Sequence, residues 1–191
     1  MTAARAFAAA LIGAILLAVA PAPASAQAPA APSCAATDDR GVPPDRLARL
    51  ARGFNLTGWL DRDAPQRPDP AALGVLRARG FTHVRLPVKL EFLAAELTSV
   101  SRADQGWAEL DLALEDLLAR GFAVSLDMHP GAAFAKLVAS DRGSASRLLE
   151  ETWRKAAKRY ARLPADRVFF ELLNEPGETI AWIELAERLA G

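Results

Sequence analysis

The chain has 191 residues, 51% of them hydrophobic and 24% charged, a balance that suits a packed domain and argues against disorder. Lys+Arg and Asp+Glu each number 23, so no basic field draws nucleic acid or anionic lipid, and no nucleic-acid partner is expected.

Residues 1–26 read as a secretory signal peptide. Arg5 supplies a positive start, Phe7 to Ala20 form an apolar run, Pro21 breaks it, and Ala24-Ser25-Ala26 offers small residues for cleavage. The run falls short of the roughly 20 residues a spanning helix needs, so a secreted or periplasmic protein without membrane attachment after cleavage is expected. The single cysteine, Cys34, has no disulfide partner within the chain. A free thiol is unusual in an exported protein, and a partner further along a longer chain would explain it.

Residues 27–44 are rich in Ala and Pro and read as a flexible linker, and residues 45–191 as the folded unit, opened by a short helix near 45–51. Apolar strands then alternate with amphipathic helices, which argues for βαβ units and a parallel sheet. The strands fall near 53–57, 82–87, 122–128 and 167–173. Asp69 and Pro70 cap and open a helix over 71–79, which Gly80 ends. Trp107, Leu110, Leu114, Leu117 and Leu118 form a second helical stripe that stops at Gly121. Leu149, Trp153, Ala156 and Tyr160 form a third, and Trp182, Leu185, Ala186 and Leu189 begin a fourth. Four βα units fit half of an eight-unit barrel, which needs about 250 residues, or a small doubly wound sheet. Gly53 and Gly58 do not make a dinucleotide fingerprint.

Alternation along the strands assigns two faces to each. Phe122, Val124, Leu126 and Met128 share one side, and Ala123, Ser125, Asp127 and His129 the other. Phe81, His83, Arg85 and Pro87 oppose Thr82, Val84, Leu86 and Val88, and Phe169, Glu171, Leu173 and Glu175 oppose Val168, Phe170 and Leu172. Arg85, Asp127, His129, Glu171 and Glu175 therefore converge on one interior. Buried charges there must be paired or solvated, and their gathering toward the C-terminal strand ends marks a site.

Glu171 sits deep and reads as a structural partner of Arg85 or His83, and His83, similarly deep, reads as structural. Asp127 fits either orienting a neighbour or touching substrate. His129 opens a loop through Pro130-Gly131 and reads as a substrate contact. Asp127 and His129 also have metal-ligand spacing, but two histidines and one cysteine supply a zinc site poorly, so no metal or other cofactor is expected. Glu175 ends a strand, follows Asn174 and precedes Pro176-Gly177, which turns the chain out of the sheet. A carboxyl group half desolvated at such a rim is suited to delivering a proton.

Arg52-Gly53-Phe54-Asn55-Leu56, Val84-Arg85-Leu86-Pro87, Ser125-Leu126-Asp127-Met128-His129 and Phe170-Glu171-Leu172-Leu173-Asn174-Glu175-Pro176 follow one another on successive strands. In these segments the chain resembles glycoside hydrolase family 5, the cellulase family, from about residue 51 to 180. The resemblance implies an α/β fold, a (β/α)8 TIM barrel of which about the first four βα units are present. It implies Glu175 as general acid/base, His129 and Asn174 as sugar-binding neighbours, and Arg85 as a charge that steadies the catalytic carboxylates. The implied reaction is retaining hydrolysis of a β-linked polysaccharide, most simply β-1,4-glucan, with β-mannan, β-1,3-glucan or a non-catalytic carbohydrate-binding remnant as alternatives. For the last of these, Trp59 and Trp107 offer candidate stacking faces. The family's nucleophile is a glutamate on the seventh strand, which this stretch does not reach. Glu171 cannot replace it, because four strand residues separate it from Glu175 by roughly 13 Å, against the 5 to 5.5 Å of a retaining pair. The 191-residue chain is therefore expected to be a truncated product or partial gene, inactive alone and a monomer at full length.

Overall fold

The computed structural model describes residues 42–176 and 182–190. The signal peptide, most of the linker, Cys34 and Gly177 lie outside the described residues. Helix α1 (Pro44–Leu50) leads into strand β1 (Gly53–Asn55), followed by α2 (Pro70–Ala78) and β2 (His83–Lys89). Helix α3 (Val100–Ala119) carries the chain to β3 (Ala123–His129). Two helices follow, α4 (Ala132–Ser140) and α5 (Arg142–Tyr160), then β4 (Val168–Glu171) and α6 (Trp182–Ala190).

The four strands form one parallel sheet in the order β1-β2-β3-β4. A doubly wound sheet would reverse direction at a switch point, whereas consecutive right-handed crossovers keep adding strands on one side and place their helices on one face. That is the winding of a barrel wall. Val84, Leu86 and Val88 of β2 and Val124, Leu126 and Met128 of β3 are buried, the face expected to meet the helices. They share one core with Trp107, Leu110, Leu114 and Leu117 of α3 and Leu149, Trp153 and Ala156 of α5. The other face carries the polar residues.

Four local differences from the expected elements matter for the site. Pro87 does not end β2, which continues in register with β3 through Val88↔Met128 and Lys89↔His129. Beyond β1 the chain stays beside β2, with Leu60 bridging to Val88 and accepting a hydrogen bond from the Lys89 backbone N–H at 2.9 Å. Past Glu171 the strand pairing of β4 stops, yet the Asn174 N–H still reaches the Met128 carbonyl at 2.9 Å. Asn174 is thus held beside the end of β3. Helix α4 was not anticipated. It buries Phe134 and Val138, and Asp141 after it accepts from the Ser144 N–H to start α5.

Helix α3 packs against the turn after β2 so closely that a Cβ at Gly106 would overlap the Phe92 carbonyl oxygen. Alanine is intrinsically the better helix former by about 1 kcal/mol. Gly106→Ala is nevertheless expected to destabilise the protein by about 1–3 kcal/mol, because backbone cannot yield as a flexible side chain does. Denaturant unfolding checks this, and a stabilised variant would contradict it. No helix among the described residues is long and apolar enough to cross a membrane.

Candidate active site

Register alone stacks the polar face into layers. Asn55, Arg85 and Ser125 lie side by side, then Pro87, Asp127 and Glu171, then Lys89 and His129 at the C-terminal ends. Arg85 is the hub. Its Nε donates to Glu171 Oε2 at 2.7 Å and a terminal nitrogen to Oε1 at 2.5 Å. The same nitrogen donates to Asn174 Oδ1 at 2.9 Å and lies 3.0 Å from Asp127 Oδ2. The other terminal nitrogen reaches Asn55 Oδ1 at 3.4 Å. A guanidinium is a planar fork of donors with no acceptor, so one side chain can tie all four strands together.

The carboxylates differ in environment. Asp127 has no exposed side-chain surface, and burial raises its pKa from the ordinary value against the opposing pull of His129 and Arg85. Its Oδ2 also receives His129 Nδ1 at 3.1 Å, while Oδ1 is buried with no partner among the described residues. Glu171 is more open, and the hydrogen bonds from Arg85 lower its pKa. Those same bonds, with the neighbouring carboxylates, raise the pKa of Arg85.

Arginine can only donate, so Asn174 must present its carbonyl to Arg85, which leaves its NH2 free to donate elsewhere. The next residue, Glu175, is exposed and adopts φ 45°, the left-handed region. Among the described residues no other non-glycine has positive φ. Pro176 disfavours the right-handed helical region for the residue before it. Left-handed backbone costs a side-chain-bearing residue about 1–2 kcal/mol. Such strain persists where surroundings over-determine it, commonly at functional sites.

The structure thus brings Arg85, His129 and Asn174 into one connected group, with Glu175 next in the chain and near enough that its charge acts on Arg85. His83 stands apart. It lies six residues before Lys89 on β2, about 20 Å along the strand, with Nε2 2.8 Å from Ser125 Oγ. Burial depresses its pKa, so above the free value of 6.5 the ring is neutral in both folded and unfolded states. As pH falls through the window between 6.5 and the depressed folded value, the unfolded chain takes up the proton first and stability drops. His83→Gln is expected to flatten that part of a melting-temperature profile, and an unchanged slope would remove His83 as its source.

Trp59 and Trp107 are both buried, with Trp107 Nε1 donating to the Leu93 carbonyl at 2.9 Å, so neither offers a stacking face. Lys89 was missed because the strand was read as ending at Pro87. It belongs to the inner face at the rim, beside His129, and its Nζ lies 2.6 Å from Asp63 Oδ1 of the β1–α2 loop. The signal was available: the two-residue alternation of His83, Arg85 and Pro87 runs on to Lys89.

A protein-family model described as cellulase, glycosyl hydrolase family 5, matches residues 48–190. Among curated proteins, Endoglucanase 3 of Fibrobacter succinogenes is 28% identical over 141 residues, 66% of this chain and 21% of that protein. Among solved structures, Thermotoga maritima Cel5A in complex with cellobiose superimposes with a TM-score of 0.64 at 25% identity, covering 78% of this chain and 53% of that one. The same protein in complex with mannotriose gives 0.63 at 25% identity over 76% and 48%. The chain therefore spans about half the length of the solved relatives it matches, and about a fifth of the curated one.

Proposed function

The chain belongs to glycosyl hydrolase family 5, the cellulases, and from that premise we propose that its strand ends form the acid/base side of a retaining β-glycanase acting on β-1,4-glucan. The observation that carries this reading is Glu175 in left-handed backbone directly after Asn174, itself anchored to Arg85. Glu175 protonates the oxygen of the departing sugar and then, as the conjugate base, takes a proton from the water that releases the glycosyl intermediate. The free NH2 of Asn174 and the outer nitrogen of His129 bond to sugar hydroxyls. Arg85 keeps Glu171 charged and holds Asp127 and Glu171 stationary beside them.

A retaining mechanism needs a second carboxylate about 5 to 5.5 Å from the first. Glu171 is engaged by Nε and one terminal nitrogen of Arg85 and Asp127 is buried against His129, so neither suits attack on a sugar carbon. The nucleophile in this reading is a glutamate on a later strand, outside the described residues. In the domain order we propose, residues 1–26 are removed on export, 27–44 act as a tether and 45–191 form the first half of the barrel of a secreted or periplasmic monomer.

The test is product stereochemistry. The intact protein is incubated with cello-oligosaccharides and the anomeric proton of the new reducing end is followed by NMR before mutarotation. Initial β-anomer supports the reading, initial α-anomer overturns it, and calorimetric binding without turnover leaves only a carbohydrate-binding role. The mannotriose complex of Cel5A favours β-mannan as the second substrate, and rates on carboxymethylcellulose, mannan and laminarin rank them.

A further inference from the structure

We propose that Glu91 is a positioning residue for His129, holding the loop that carries the imidazole from the end of the neighbouring strand. The inference rests on the reading of His129 as a sugar contact. Glu91 lies in the single turn Leu90–Phe92 after β2 and is buried, unusual for a carboxylate. Its Oε1 accepts the Phe134 backbone N–H at 3.1 Å, and Oε2 is buried with no partner among the described residues.

Phe134 is the third residue of α4, and Gly131, the residue before that helix, brings no side chain to cap it. Glu91 supplies the missing cap from another element. Its negative charge faces the exposed N–H groups where the helix dipole favours it. Gly131 shows that the contact is built. Its backbone is extended, at φ −101° and ψ −172°, so no torsional reason demands glycine there. A Cβ at that position would instead overlap both carboxylate oxygens of Glu91.

His129 is two residues upstream of Gly131, with Pro130 between them fixing one backbone angle. The ring is thus held twice, by Asp127 at Nδ1 and by Glu91 through the loop it hangs from. The first restraint sets its tilt and the second its position along the mouth. Arg85 and Lys89 stand on the strand that delivers Glu91, and Asp127 and His129 on the strand it clamps. Glu91 therefore locks the relative height of two strand ends that share one substrate.

The experiment uses the intact protein in four forms: wild type, Glu91→Ala, Glu91→Gln and Gly131→Ala. The imidazole resonances of His129 are assigned by comparison with His129→Gln, and kcat and KM are measured on a β-glucan. Glu91→Gln keeps an acceptor for Phe134 and is expected to leave the His129 signal and kcat/KM within about threefold of wild type. Glu91→Ala and Gly131→Ala are expected to move the His129 signal and lower kcat/KM by about tenfold to a hundredfold, the penalty of a small misplacement. In a His129→Ala background Glu91→Ala should then cost nothing further. Gly131→Ala covers the case in which Glu91→Ala does not fold. An unmoved His129 signal in both variants, with stability alone reduced, overturns the proposal. If His129→Ala itself leaves kcat/KM unchanged, the reading of His129 as a sugar contact fails, while the NMR signal still decides whether Glu91 positions the ring.

Discussion

Glu175→Gln in the intact protein is expected to lower kcat on a β-glucan by about 10²- to 10⁴-fold, the range that positioned proton transfer supplies. The amide keeps the size of the side chain and some hydrogen bonding but has no proton to give. The loss should depend on the leaving group. An unactivated sugar alkoxide needs protonation as it departs, so the polymer bears the full penalty. An aryl glycoside whose phenol is already acidic needs little help, and its first step should be nearly spared. A uniform loss across leaving groups would instead mean that Glu175 holds substrate or structure. The left-handed backbone sharpens the expectation. Glu175→Gly relieves the strain, so it is expected to match or exceed the wild type in stability while losing activity as the Gln variant does.

The second large effect falls on Arg85. Removing its side chain leaves the wholly buried Asp127 with His129 as its remaining partner and strips Glu171 of both its hydrogen bonds. Breaking a buried charge pair from one side costs about 3–5 kcal/mol. Glu171 and Arg85 retain 40% and 26% exposure, so the lower end, about 3 kcal/mol, is expected for Arg85→Ala. Activity should fall about a hundredfold as Asn174 loses its anchor. Arg85→Lys restores the charge but not the planar fork, and should recover stability more than turnover.

A pH signature accompanies the change. In the wild type, Arg85 holds the pKa of Glu171 below its ordinary 4.5, so the pair stabilises the fold above that value and the benefit fades as pH falls through the depressed one. Arg85→Ala should lose that acid-side decline. A variant as stable and active as wild type would show that the network is incidental.

Where one residue's chemistry implied its surroundings, the sequence was a good guide. The alternation of Val124, Leu126 and Met128 against Ser125, Asp127 and His129 is forced by strand geometry, and the two faces fall as the pattern requires. A lone arginine among inward carboxylates had to be paired, and it is. What depended on chain meeting chain was hidden. Pro87 reads as a strand breaker because it lacks an N–H, but neighbours on both sides carry the strand past it and bring Lys89 to the rim. Helix α4 starts with a capping group from a distant segment, so the local signals for its N-terminus are missing. Trp59 looked like a sugar platform because loops expose aromatics, yet it is packed into the core. The backbone of Glu175 is a tertiary property, and Pro176 narrowed the choice without making it.

The consecutive strand order bears on how the domain comes into being as the chain emerges N-terminus first. Gly53 pairs with His83, His83 with Ala123 and Val124 with Val168, so no strand waits more than about 45 residues for its neighbour. Each strand therefore finds its partner once a few tens of further residues have emerged. Loop closure over such short spans is entropically cheap. The wall can therefore grow stave by stave, with β2 and its Arg85 in place before Asp127, and Asp127 before Glu171. Each carboxylate that arrives meets a guanidinium already waiting, and none has to be buried alone.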